Sequence, residues 1–280
     1  MIQLHTKEDR LSFMKRKSTI LPANLIKYLL LFPVTLFCLA PAFSQKDRVL
    51  NLPRYDNSPY HFGFLLGVNQ MHFTIRPATD LHVRMFDSTY LPDILPTPDS
   101  ALLYSVESSP YLGFTVGIIG NLRMGKYFDL RFIPSLSFGE RELHYSLMTF
   151  TNGDTAFIPV SKRVPSTFID FPLLIKYKSA RLNNLRAYLL GGAKYSLDLA
   201  SQAKKREQKN LNQKIVKIKA NDLYLVAGVG FDFYNEWFKL GVEITMSYCL
   251  SDILKREKNI YTDGIDYLRS KVFQLSFTFE

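Results

Sequence analysis

From residue 60 onward apolar residues alternate with small or charged ones at a period of two, the spacing of strands with two unlike faces. Eight such segments follow one another. The first, near His61 to Thr74, sets Phe62, Phe64, Leu66 and Val68 against Gly63, Gly67 and Asn69. The second, near Tyr111 to Arg123, opposes Leu112, Phe114, Val116 and Ile118 to Gly113, Thr115 and Gly117. A third begins at Phe128 and places Leu130, Phe132, Leu136 and Phe138 opposite Asp129, Arg131, Ser135 and Ser137. The fourth, Thr167 to Lys178, alternates Ile169, Phe171, Leu173, Ile175 and Tyr177 with Asp170 and Lys176; the fifth, Leu185 to Leu199, carries a weaker pattern. Leu223 to Phe233 faces away from Gly228, Gly230 and Asp232 in the sixth. Phe238 to Tyr248 opposes Lys239, Gly241 and Glu243 in the seventh, and Phe273 to Phe279 closes the eighth.

Alternation alone fits a soluble sandwich, apolar face inward, or a membrane barrel, apolar face to lipid. The connections separate the two. Short turns of about three to seven residues follow the second, fourth and sixth segments, whereas long stretches, about 75 to 110, 148 to 165, 200 to 220 and 255 to 268, follow the others. Strict alternation of turn and loop is the membrane-barrel pattern, with turns in the periplasm and loops outside. Tyr127, Phe128, Tyr177, Tyr188, Phe233, Tyr234, Trp237, Phe238, Phe277 and Phe279 gather beside the short turns, as an interfacial belt would. The expectation is an all-β fold: one eight-stranded antiparallel transmembrane β-barrel, up-and-down, over residues 61–280.

The first residues bear on location. Lys15, Arg16 and Lys17, an apolar run to Leu39, and Ala42-Phe43-Ser44 before Gln45 form a secretion signal over 1–44, with Met14 a credible start and cleavage between Ser44 and Gln45. Residues 45–60 would then be a periplasmic segment, either a short linker or a contact for a partner. The expected location is the cell outer membrane. Beyond the signal Cys249 is the one cysteine, so no disulfide framework forms, and a buried thiol is expected.

Charge narrows the partners. Residues 45–280 hold 29 Lys and Arg against 23 Asp and Glu, a net of +6. Lys204, Lys205, Arg206, Lys209, Lys214, Lys217 and Lys219, against Glu207, account for that excess in one loop. Such concentration argues against a nucleic-acid surface, which would spread cations along a face. The loop could instead meet lipopolysaccharide phosphates or an acidic partner, or be merely solvated. Loop 75–110 is apolar enough at Leu81, Met85, Phe86, Tyr90 and Leu91 to fold over the barrel mouth or dock another protein.

Parity directs Asp129, Arg131, Asp170, Lys176, Lys194, Asp232, Lys239 and Glu243 inward, four cations and four carboxylates. An eight-stranded barrel is just wide enough to be filled by side chains, so a mutually paired plug is the simple expectation, with an ion path the alternative. The histidines show no metal-ligand spacing, and no cofactor is expected. His144 and Ser146 share one face with Glu140 and Glu142, a combination that could hydrolyse an acyl ester of lipid A; an ordinary polar rim is the plainer interpretation.

One segment carries a likeness. Asn51-Leu52-Pro53, Tyr55-Asp56 and His61-Phe62-Gly63, continuing through Gly67 and Asn69, form an NLPxYD…HFGFxLGxNxMxF pattern that resembles the start of the PorT (SprT) proteins of Bacteroidetes. Phe171-Pro172-Leu173-Leu174-Ile175-Lys176-Tyr177 adds a second, less specific similarity. The resemblance implies a non-enzymatic outer-membrane accessory of type IX protein secretion, serving gliding motility in some members, whose partners are other components of that machine and outer-membrane lipid. It supplies no catalytic residues. A lipid A-modifying hydrolase and a small structural or adhesion barrel stand as alternatives.

Overall fold

The computed structural model describes residues 49–91, 97–200, 218–256 and 259–280. Among these, one antiparallel sheet contains β1 (Tyr60–Pro77), β2 (Met85–Asp87), β3 (Ser100–Pro110), β4 (Leu112–Arg123), β5 (Phe128–Phe132), β6 (Ser135–Thr151), β7 (Asp154–Lys178), β8 (Leu185–Asp198), β9 (Asn221–Tyr234), β10 (Lys239–Cys249) and β11 (Ile265–Phe279). Its pairing returns to its start. β1 bonds to β11 on one side and to β4 on the other; the circuit continues through β5 and β6 to β7, then β8, β9, β10 and β11. The result is a closed antiparallel barrel.

Among the described residues the strands number eleven rather than the expected eight. Two of the additions, β2 and β3, lie in the first long connection, where β2 pairs with β3 and β3 pairs with β6. The third addition comes from a break in the third expected strand. Pro134 has no N–H to give to a ladder, and β5 and β6 part on either side of it. The wall stays joined there because the Ile118 amide donates to the Pro134 carbonyl (3.0 Å) and the Ile133 amide to the Pro172 carbonyl (3.2 Å).

A second correction concerns the expected loop 148–165. β6 and β7 instead run on as a paired hairpin to Thr151 and Asp154. Asn152 (φ 50°) and Gly153 (φ 86°) make the turn, both in the left-handed region that a two-residue hairpin connection requires. The strands therefore extend well beyond the length a bilayer needs. The expected loop 255–268 is likewise shorter, because a one-turn helix α1 (Ile260–Asp263), capped by the Asn259 side chain accepting from the Thr262 amide at 2.8 Å, leads into β11 at Ile265.

The two faces of the wall differ as lipid on one side and a filled interior on the other demand. Phe62, Phe64, Val68, Ile118, Leu173, Leu225 and Ile244 are exposed on the outside, while Asn69, Thr115, Arg131, Lys176 and Glu243 are buried inside. Near the short turns Tyr127, Phe128, Tyr177, Phe233, Trp237 and Phe238 face outward. Tyr188 and Tyr234, expected in that belt, are instead buried. They share the inward parity of Arg186 and Asp232, so alternation overrides the aromatic preference for an interface.

The long-loop end is closed by an apolar core. Leu81, Phe86 and Leu91 of the first long connection pack with Leu103, Tyr145, Leu147, Tyr261 and Ile265. Burial of each large side chain is worth about 1.5 to 3 kcal/mol, enough to hold this connection down over the barrel mouth. Met85, assigned by sequence to the same apolar set, is exposed.

Candidate functional site

All eight inward charges expected from parity are buried in the barrel. They sort into linked pairs. Lys176 Nζ donates to Asp232 at 2.8 and 3.0 Å and sits 3.6 Å from the centre of the Tyr188 ring. Lys194 meets Asp170 at 3.2 Å, and Asp170 also accepts from Ser137 (2.7 Å) and Ser196. Arg131 binds Glu243, which accepts a further bond from the Tyr188 hydroxyl at 2.7 Å. The set does not close on itself. Asp129 pairs with Lys178 (2.6 Å), while Lys239 and Arg131 both reach Glu280, at 2.8 and 3.0 Å. Lys178 and Glu280 were absent from the inward set, although Lys178 has the parity of Lys176; their strand-end positions hid them.

Small residues opposite make room for these groups. A Cβ at Gly63 would lie 2.1 Å from the Phe279 carbonyl oxygen and 2.8 Å from Glu280 Cγ, and one at Gly230 would lie 2.5 Å from the Tyr188 hydroxyl. Asn69 donates to Thr115 Oγ1 at 2.8 Å. Among these groups a cavity of about 40 Å³ remains, bordered by Asp170, Lys194, Glu243 and Gln274, room for a few water molecules.

Residues 49–58 close the short-turn mouth, the periplasmic one by the barrel rule. The segment is not a free linker, because it is bonded to the barrel while Val49, Leu50, Pro53, Arg54, Asn57 and Ser58 stay exposed. The Asn51 amide donates to Asn184 Oδ1 (3.0 Å), its side chain donates to the Tyr234 carbonyl (3.0 Å), and Arg181 donates to the carbonyls of Asn51 and Leu52. Leu52 takes φ 49°, after which Pro53 leads into a 3-10 turn, Tyr55–Asn57. That turn delivers two side chains to the lumen. Asp56 accepts a bidentate pair from Arg186 (2.8 and 2.9 Å) and a bond from the Tyr234 hydroxyl (3.0 Å). Tyr55 donates to Glu280 at 3.1 Å and stacks on His61 with ring centres 3.9 Å apart. Residues 49–58 thus form a latch that reaches the buried charge network.

Environment tunes both latch groups. Burial alone would raise the Asp56 carboxyl, but the Arg186 fork and the Tyr234 hydroxyl hold it below the usual carboxylate range. Burial, reinforced by Glu280, pushes the Tyr55 phenol far up, so it stays a donor.

The remaining expectations fall elsewhere. His144 does not engage Ser146; its ring nitrogens lie 2.8 Å from Ser161 and 3.0 Å from Ser109, on strands either side of β6. Cys249 is buried, its thiol 3.5 Å from the Ser251 carbonyl. Of the basic loop, Lys219 is described, donating to the Asp252 carbonyl at 2.6 Å. Lys204, Lys205, Arg206, Lys209, Lys214 and Lys217, together with the signal and its Ser44–Gln45 junction, lie outside the described residues.

A closed antiparallel wall with an apolar exterior and a charge-filled interior defines an outer-membrane β-barrel. Residues 43–255 match the model of the outer membrane protein beta-barrel domain, and the chain belongs to that family. Its location is the outer membrane. No curated protein sequence matches the chain. Solved structures similar to it include the outer membrane protein OprG from Pseudomonas aeruginosa, at 12% identity and TM-score 0.33 over 78% of this chain and 92% of that one. The translocator domain of the autotransporter NalP from Neisseria meningitidis is similar at 9% identity and TM-score 0.27, over 94% and 99%.

Proposed function

We propose that this protein is a non-conducting, non-catalytic outer-membrane accessory of type IX protein secretion that acts through contacts with other components of that machine. The observation that carries the reading is the latch. Asn51, Leu52, Pro53, Tyr55 and Asp56, the residues of the PorT-like pattern, tie the periplasmic mouth to a lumen already filled by paired charges. A barrel so occupied offers cargo no passage, which leaves its loops and its periplasmic face to do the work. The test is deletion of the gene, with export of type IX cargo followed in the culture medium, and crosslinked pull-down from outer membranes. Lost export restored by the wild-type gene, with secretion components in the crosslinked fraction, is expected. Normal export in the deletion strain overturns the assignment.

A further inference from the structure

The wall made by β1, β10 and β11 carries an outward surface that the secretion reading does not use. Registered cross-strand rows define it. Leu66, Phe277 and Val242 form one row, Val68, Leu275 and Ile244 the next, and Gln70, Phe273 and Met246 a third. One pleat further toward the long-loop end the row is His72, Lys271 and Tyr248; Arg269 lies opposite Thr74 beyond it, and Arg76 opposite Tyr267 beyond that. Two residues of strand, about 7 Å, thus separate hydrocarbon-facing side chains from cations. By the turn-and-loop rule this boundary is at the headgroups of the outer leaflet.

Aromatic neighbours hold the cations in place. Arg269 Nη1 donates to the Tyr248 hydroxyl at 3.1 Å, and its guanidinium lies 4.9 Å from the centre of the Tyr267 ring. Arg76 lies 5.6 Å from the centre of the same ring, and Lys271 is 6.0 Å from the centre of the Tyr248 ring. Asp266, 3.5 Å from Arg76, adds a carboxylate to this surface. Charge is distributed differently beyond the apolar rows of β4 and β6. There Glu140 and Glu142 succeed Phe138, Glu107 faces His144 from β3, and Glu142 is engaged by the Tyr111 hydroxyl (2.6 Å) and Arg163 (3.6 Å). Of these two described faces, the one on β1, β10 and β11 is the more basic.

We infer that this wall binds a phosphate-bearing glycolipid of the outer leaflet, of the lipid A class, with Arg269 and Lys271 on a phosphate and the rows ending in Phe273 and Met246 against its acyl chains. Guanidinium and phosphate match in shape and charge, and continuity of cations with apolar rows suits a ligand that is anionic at one end and hydrocarbon at the other. Free phosphate would satisfy only the first half. This inference goes beyond the secretion reading and is independent of it.

Native mass spectrometry of the full chain in mild detergent, incubated with bisphosphorylated lipid A, tests it. The wild-type protein is expected to retain lipid A, and the Arg269→Gln/Lys271→Gln variant to retain at least roughly tenfold less, the effect of losing a hydrogen bond to a charged group. Dephosphorylated lipid A should be retained no better by wild type than by the variant, and millimolar inorganic phosphate should not displace the lipid. Equal retention by the variant overturns the proposal. Equal wild-type retention of the dephosphorylated lipid, or displacement by phosphate, overturns it too. The Glu140→Gln/Glu142→Gln variant is expected to behave as wild type, and an equal loss there overturns the assignment to this wall. Heat-modifiable gel mobility reports folding. If the double variant fails to fold, Lys271→Gln alone, whose side chain makes no hydrogen bond among the described residues, replaces it under the same criteria.

Discussion

Glu280 receives Arg131, Lys239 and Tyr55 in one buried site, and Arg131 is shared with Glu243. Removing one member of such a set leaves opposite charges buried without a partner, a loss of about 3 to 5 kcal/mol. Arg131→Met is therefore expected to lower the temperature at which the folded gel band disappears. Lys176→Met with Asp232→Leu, which removes a whole pair, should cost far less than either single change. Parity alone placed Asp129, Arg131 and the other six charges on the inner face, because a closed wall leaves each strand residue only two directions. Their pairing was beyond it. Asp129 and Lys176 oppose each other in register, yet Asp129 takes Lys178 and Lys176 takes Asp232. Partner choice depends on how side chains lean across the lumen, which no single strand records.

The latch responds to pH in a definite sense. Asp56 has a lower pKa when docked than when released, so its contribution is present above the released value and is lost as pH falls through the docked one. Protection of residues 49–58 from hydrogen exchange, taken relative to the intrinsic rate at each pH, is expected to be high at about pH 7 and to be lost as pH falls below the usual carboxylate range. Asp56→Asn should show fast exchange at neutral pH. The hairpin at the other end allows a similar test. Replacing Asn152-Gly153 by Ala-Ala forces two side chains into the left-handed region, at about 1 to 2 kcal/mol each, and is expected to speed exchange near Thr151 and Asp154 without changing the folded gel band. Asn-Gly between two apolar runs is a hairpin signal that a search for bilayer-length strands passes over. The latch, by contrast, has no periodicity at all, and its distant partners, Arg181, Asn184, Arg186, Tyr234 and Glu280 among them, give it structure.

With ion pairs across the lumen, a packed cap at one mouth and the latch at the other, the protein is expected to give no single-channel conductance steps in planar bilayers, and recurrent open steps would contradict the filled interior. The barrel class was legible in the alternation of turns and loops, since that order follows from a wall whose neighbours are consecutive in sequence. The strand total was not. Pro134 removes one ladder donor within an otherwise regular apolar pattern, and β3 exists because the upper part of β6 gives it a partner.

The latch also dates its own formation. Residues 51–56 precede every described strand, yet the atoms they bond belong to the β7–β8 turn, the start of β8, the end of β9 and Glu280, just past β11. A chain assembling in order cannot seat Tyr55 on Glu280 until its final strand has met its first, so an inserted, fully sealed molecule carries at its inner face a mark that a half-zipped one lacks. Any periplasmic factor that grips this stretch while it is loose would let go of finished molecules without needing any other cue.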